Sequence, residues 1–356
     1  MNPELHPLYE ASVELLRQLI ATPSFSREEE ATAGILCRFL GARGIDHQRV
    51  GNNVFALNRQ YDPSKPSILL NSHHDTVRPN PGYTRDPYLP SVEEGKLFGL
   101  GSNDAGGCLV SLAATFLHFY DRSDHPYNIL FAATAEEEIS GPGGIEYTLP
   151  YLPPIDCAIV GEPTGMQLAI AERGLMVLDC TSHGKAGHAA RREGDNALYQ
   201  ALDAIQWFRT HTFERVSPLL GPCQMTVTVI ETENKAHNVV PGTCHFVADI
   251  RVNECYQFEE ILDEIRSKVS CEVTPRSFRL RSTLIPKDHP LIQAGLSMGR
   301  TCYGSPTTSD KALMPFPALK MGPGDSARSH TADEYIVLDE IREGIELYTE
   351  LLNRLS

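Results

Sequence analysis

Ile68-Leu69-Leu70-Asn71-Ser72-His73-His74-Asp75 is the stretch from which the fold can be read. A short apolar run leads directly into two imidazoles and a carboxylate. The same succession occurs twice more: Ile129-Leu130-Phe131-Ala132-Ala133 leads into Glu136-Glu137-Glu138, and Ala158-Ile159-Val160 into Gly161-Glu162-Pro163. Apolar runs of this length suit strands buried on both faces. Several such strands would deliver imidazole and carboxylate to one rim of a sheet. In open α/β sheets, ligands bind at the carboxyl ends of the strands.

The flanking sequence supports this architecture. Leu8, Leu15, Leu16, Leu19 and Ile20 have helical spacing, and Ser26 with Glu29 forms a capping-box signature for a second helix. Helices are also expected over 107–120, 291–302 and 339–352, with strands over 54–57 and near 319–321. This alternation indicates a mainly parallel α/β sheet covered on both faces. Between about residues 172 and 280 the pattern changes to strand, helix, strand, strand, helix, strand, a ferredoxin-like arrangement. The expected organisation is a discontinuous catalytic domain, 1–171 and 281–356, interrupted by an inserted lid or dimerisation domain, 172–280.

With 356 residues the chain suits two domains. A net charge of −15 argues against binding to nucleic acid or to an anionic membrane surface, both of which call for basic patches. No apolar stretch reaches the length of a membrane span, and residues 1–30 contain no secretory h-region. The cysteines number nine, an odd count, and form no Cys-x-x-Cys pair. They read as reduced thiols in a cytoplasmic protein.

At a strand end alternate residues point the same way, so His73 and Asp75 can share a side while His74 points elsewhere. Alone, the segment is also an ordinary exposed loop. Three adjacent acids usually form a solvated charge run. Here Gly141-Pro142-Gly143-Gly144 follows at once, and adjacent carboxylates can divide labour between a metal and a proton. Asp104 sits in Gly99-Leu100-Gly101-Ser102-Asn103-Asp104, which lacks the third glycine of a dinucleotide fingerprint. Glu162 and His330 read singly as a turn acid and a loop histidine. Jointly, two imidazoles with several carboxylates are the ligand set of a dinuclear zinc site with a bridging carboxylate.

On these segments the chain resembles the zinc-dependent aminoacylase and peptidase family (M20-type) that includes acetylornithine deacetylase and succinyl-diaminopimelate desuccinylase. Gly187-His188, Asn238-Val239-Val240-Pro241-Gly242 and Asp249-Ile250-Arg251 extend the likeness into the inserted domain. The resemblance implies two Zn2+ ions, with Co2+ able to substitute. His73, Asp104 and Glu162 would hold one ion, and Asp104, Glu138 and His330 the other, with Asp104 bridging. Asp75 would orient His73, and Glu137 would be the general base. His188 would stabilise the oxyanion, in the family often across a dimer interface. Asn238 and Arg251 would hold the substrate. A cis peptide after Asp104 and a homodimer are also implied.

Thr84-Arg85-Asp86-Pro87, the runs from Gly95 to Gly101 and from Asp156 to Thr164, and Asp333-Glu334-Tyr335 most resemble acetylornithine deacetylases. The expected reaction is therefore hydrolysis of a small N-acyl amino acid, N2-acetyl-L-ornithine to L-ornithine and acetate in arginine biosynthesis. Deacylation of N-acetylcitrulline, N-succinyl-ornithine or -citrulline, acyl-lysine or succinyl-diaminopimelate, dipeptide hydrolysis, and an inactive metal-binding scaffold remain alternatives. Two positions depart from the family pattern: Gly106 stands where lysine is common, and Arg191-Arg192 where proline often follows the histidine.

Overall fold

The computed structural model describes residues 3–191 and 193–355. The chain divides into two compact units. Met1–Ile170, Ile285–Tyr303 and Ser309–Ser356 form the first, and Ala171–Leu284 with Gly304–Thr308 form the second.

The first unit is built on a mixed sheet. From one edge its strands are His47–Val50, Asn53–Leu57, Asn128–Thr134, Ser67–His73, Cys157–Val160, Ala318–Lys320 and Leu168–Glu172. The inner four are parallel, and the flanking pairs are antiparallel. Ser67–His73 and Asn128–Thr134 are buried at every residue. Odd and even side chains therefore enter different apolar layers. Phe55, Leu69, Leu130, Ala158 and Val160 pack together on one side. On the other, the apolar helix Gly107–Phe119 covers the sheet, and Phe116 stacks on Phe131 at 5.8 Å. Each fully buried Leu, Ile or Phe contributes about 1.5–3 kcal/mol. That burial provides a rigid platform for the polar residues at the strand ends.

The second unit has the expected β-α-β-β-α-β order. Its antiparallel sheet runs Gln224–Glu231, Thr243–Val252, Gly174–His183, Glu272–Pro275. Helices Ala197–Thr210 and Phe258–Lys268 bury Ala201, Ala204, Phe208, Ile261 and Ile265 in one core with Leu178, Phe246 and Ile250.

Two local expectations fail. The helix expected to reach residue 302 is Pro290–Ser297. Gly299 at φ 75° ends it, with the Arg300 N–H returning to the Gly295 carbonyl, and Cys302–Ser305 is a strand. Ser26 does not cap the second helix, Glu30–Gly41. Its hydroxyl instead donates to Asp75 Oδ2 at 2.7 Å.

Gly106, one of the two departures, lies in a tight turn whose N–H donates to the Gly101 carbonyl at 2.9 Å. A Cβ there would meet that oxygen at 2.4 Å and Leu16 Cδ1 at 2.6 Å. One obstacle is backbone, so relief requires moving the turn. Gly106→Ala is expected to destabilise the protein by about 1–3 kcal/mol, the usual cost of overpacking. An unchanged melting temperature would contradict this.

Candidate metal centre

Three parallel strand ends, the turn that holds Asp104 and the loop that holds His330 bring seven of the expected residues together. His73 Nε2 lies 3.3 Å from Asp104 Oδ1, 3.6 Å from Glu162 Oε1 and 3.9 Å from Glu137 Oε2. His330 Nε2 lies 3.0 Å from Glu138 Oε2 and 3.5 Å from Asp104 Oδ2. The two oxygens of Asp104 thus face different imidazoles. His73 is 1% exposed and His330 54%. The Asp104–Ala105 peptide is cis, as the resemblance implies.

Asp75 ties the strand ends to one another. Its Oδ1 accepts the Glu137 N–H at 3.1 Å, and its Oδ2 accepts the Glu138 N–H at 3.2 Å. The His73 ring donates from Nδ1 to the Asp75 main-chain carbonyl at 3.0 Å, with the carboxylate at 3.4 Å. That bond leaves Nε2 facing the carboxylates. His74 points elsewhere, bonded to Thr32 Oγ1 and the Asn52 carbonyl.

The three adjacent acids have different surroundings. Glu136 adopts φ 55° and turns away, accepting the Gly143 N–H, while Glu137 and Glu138 enter the cluster. Cβ atoms at Gly141 and Gly143 would meet the Glu136 carboxylate at 2.0 and 2.4 Å, so the glycines give that side chain its place.

Three further residues shape the site without a local motif to announce them. Glu334 is buried and accepts N–H bonds from Gly101, Asn103 and Asp104, fixing the turn that presents Asp104. Asp310 is buried and accepts from Thr134 Oγ1 at 2.8 Å, at the end of the strand that leads to Glu137. Glu29, read as a capping residue, accepts the N–H groups of Arg27 and Glu136. The available sequence signal is weak: an acid four residues after His330, and an acid following Ser309.

Charge crowding dominates the electrostatics. Asp75, Asp104, Glu137, Glu138 and Glu162 carry −5 when ionised, and His73 and His330 at most +2, leaving −3. Two unit charges 4 Å apart interact by about 4 kcal/mol even at an effective dielectric of 20. Proton uptake is one relief. Burial and the charge of Glu162 push the Glu137 carboxyl well above its ordinary range. Burial pulls the His73 imidazolium down, but Glu137, Asp104 and Asp75 more than reverse this and hold it well above the usual value. The hydrogen bond to Glu138 leads the rise of His330 to about 9.

A cation is the other relief, and the donors fit one. Among the described residues, His73, Asp104 and Glu138 form one group able to hold a metal ion, and His73, Glu137 and Glu162 an overlapping one. Glu138 Oε1 is buried with no hydrogen-bond partner. A buried carboxylate oxygen so placed is costly unless it meets a cation.

His188, Asn238 and Arg251 lie in the second unit. His188 and Asn238 are exposed, and Asp249 occupies one edge of the Arg251 guanidinium at 2.7 and 3.0 Å. Arg191 is exposed near Glu193, and Arg192 lies outside the described residues.

Residues 69–354 match the model of peptidase family M20/M25/M40. The chain belongs to this family. A succinyl-diaminopimelate desuccinylase of Acidiphilium cryptum is 26% identical over 367 residues, covering 96% of this chain and 98% of that protein. One of Halorhodospira halophila is 26% identical, covering 97% and 98%. Aminopeptidase PepT of Bacillus cereus shares the fold with a TM-score of 0.79 at 18% identity, over 98% of both chains. The chain is a metal-dependent hydrolase with the family's α/β fold.

These relatives correct the expected likeness to acetylornithine deacetylase, and with it the assignment to acetylornithine hydrolysis and arginine biosynthesis. Three of the stretches behind that reading brace the fold around the site. The Thr84 and Arg85 N–H groups donate to Asp333, and Lys96–Phe98 pairs with Tyr335–Val337. Glu334 fixes the Asp104 turn.

Because cations and protons compete for the same donors, metal loading must release protons. Were His330 a ligand, as the resemblance implies, a divalent ion added at pH 7 would displace the proton of a group near 9, and apparent affinity would rise with pH until roughly that value. Calorimetry in buffers of different ionisation heat measures the release. Affinity independent of pH between 6 and 9 would contradict the assignment.

Proposed function

We propose that this chain removes the succinyl group from succinyl-diaminopimelate by metal-dependent amide hydrolysis. The observation that carries the reading is the near-full-length similarity to succinyl-diaminopimelate desuccinylases.

His73, Asp104 and Glu162 hold one ion, and Asp104, Glu138 and His330 the other. The two oxygens of Asp104, each facing a different imidazole, support a bridging role. Zinc suits this set of imidazole and carboxylate donors, and cobalt can replace it. Bound metal supplies Lewis acidity toward the amide carbonyl and lowers the pKa of water.

The protein's own residues do the rest. Glu137 accepts the proton of the attacking water and returns it to the departing amine, which leaves poorly as an anion. Its raised carboxyl pKa supports this two-way role. Asp75 holds His73 and the Glu137–Glu138 turn in register. His188 Nδ1 accepts the Ala190 N–H, so the proton of a neutral ring sits on Nε2 and is free to donate to the developing oxyanion. Asn238 and Arg251 bind the substrate, Arg251 through a carboxylate.

A homodimer is supported by the open edge of the second unit's sheet. There Gln224–Glu231 exposes Val229 and Ile230. Sedimentation near twice 39.3 kDa is expected, and a monomer at micromolar concentration would contradict it. The nine free cysteines support a reducing, cytoplasmic location, which cell fractionation checks.

Zinc- or cobalt-loaded protein is expected to hydrolyse succinyl-diaminopimelate faster than N-succinyl forms of ornithine and citrulline or unblocked dipeptides. Dipeptides cleaved in preference would overturn the reading. Glu137→Ala should retain metal and lose turnover by about two to four powers of ten. Near-normal turnover would remove Glu137 from its role.

A further inference from the structure

A cavity of about 270 Å3 opens beside Glu138; its walls include the apolar Phe25, Val77 and Ile139, the cation Arg78 and a second carboxylate, Glu28. At about 30 Å3 per water in the liquid, it has room for roughly nine waters. Its walls are tied together: Phe25 and Thr76 form a parallel bridge, and the Thr76 N–H donates to the Ser24 carbonyl at 2.8 Å. Phe25, Val77 and Ile139 make much of the lining apolar, and Ile139 is 48% exposed. Arg78 is the cation in this lining.

Arg78 is also poised to take a new partner. Arg85 is held by Glu93 in a two-bond fork at 2.7 and 2.7 Å, and Arg328 by Glu340 at 2.7 and 3.0 Å. Among the described residues Arg78 makes a long ion pair with Glu28, at 3.9 Å, with both side chains well exposed. Such a pair is worth about 0–1 kcal/mol. The guanidinium sits 4.5 Å from the centre of the Phe25 ring. Stacking of this kind restrains the plane and leaves N–H edges open for a carboxylate.

From these observations we infer that Arg78 selects the acyl group, binding the distal carboxylate of a succinyl chain whose two methylenes lie against Phe25, Val77 and Ile139. This rests on the desuccinylase reading and names its specificity residue. The reacting carbonyl belongs to the acyl group, and a succinyl carboxylate lies only two methylenes beyond it. Its receptor must therefore adjoin the carboxylate cluster. The cavity beside Glu138 does so and carries a cation. A second cavity touching His73 and Asp104 holds only about 20 Å3, too little for a succinyl chain, and its lining contains neither Arg nor Lys. An acetyl group would leave Arg78 without a partner.

The test compares wild type, Arg78→Ala and Arg78→Lys, all metal-loaded, on N-succinyl- and N-acetyl-diaminopimelate. Calorimetric titrations with succinate and with acetate accompany the kinetics. A charge-assisted hydrogen bond is worth about 1.5–3 kcal/mol, so Arg78→Ala is expected to lower the succinyl-to-acetyl ratio of kcat/KM by roughly 10–100-fold. Succinate affinity should fall by a similar factor, with Arg78→Lys recovering part of both. A ratio and a succinate affinity that match wild type would overturn the proposal. If wild type fails to cleave succinyl substrates, the desuccinylase reading falls, and the succinate titration still decides the role of Arg78.

Discussion

The Asp75 carboxylate joins the fold to its chemistry. The parallel strands place His73 and the Glu136–Glu138 turn side by side, but strand geometry alone does not fix a turn. Asp75 does so by accepting the N–H groups of Glu137 and Glu138 and the hydroxyl of Ser26, while its main-chain carbonyl holds the His73 ring. Burial pushes the Asp75 carboxyl up, but the neighbouring His73 ring and then the Ser26 hydroxyl hold it below its ordinary pKa. One buried anion thus sets the position of a second group of anions, because its own charge is spent on main-chain and hydroxyl donors.

Glu137 and Glu138 differ: burial leads the rise of both carboxyls above their ordinary range, and neighbouring carboxylates add to it. Asp104, Glu137, Glu138 and Glu162 surround two imidazoles, and their mutual repulsion is relieved by protons or by cations. The raised values of Glu137 and His330 describe the first choice. The unpartnered Glu138 oxygen and the split orientation of Asp104 describe the second. Protons and cations thus compete for the same groups, so metal binding and pH are linked at the site.

The sequence made the strand ends legible because a fully buried strand must be apolar until it reaches the rim. His73, Glu137, Glu138 and Glu162 therefore stand out against what precedes them. The ferredoxin-like order of the second unit was legible for a similar reason, through alternating polarity. What remained hidden was long-range polar pairing. Ser26 and Glu29 look like a local capping box, yet Ser26 serves Asp75 and Glu29 serves the Glu136 turn. Glu334 and Asp310 act through contacts more than 170 residues away in the chain. Turns such as Gly99-Leu100-Gly101 carry no information on the acyl group, because their contacts brace the Asp104 turn through Glu334.

The central claim is that one bridging carboxylate organises two cations at these strand ends. Anomalous diffraction from crystals grown with zinc tests it directly. The account predicts two peaks about 3.5–4 Å apart, each bonded to a different oxygen of Asp104. A single peak, or two peaks that do not share Asp104, would contradict it.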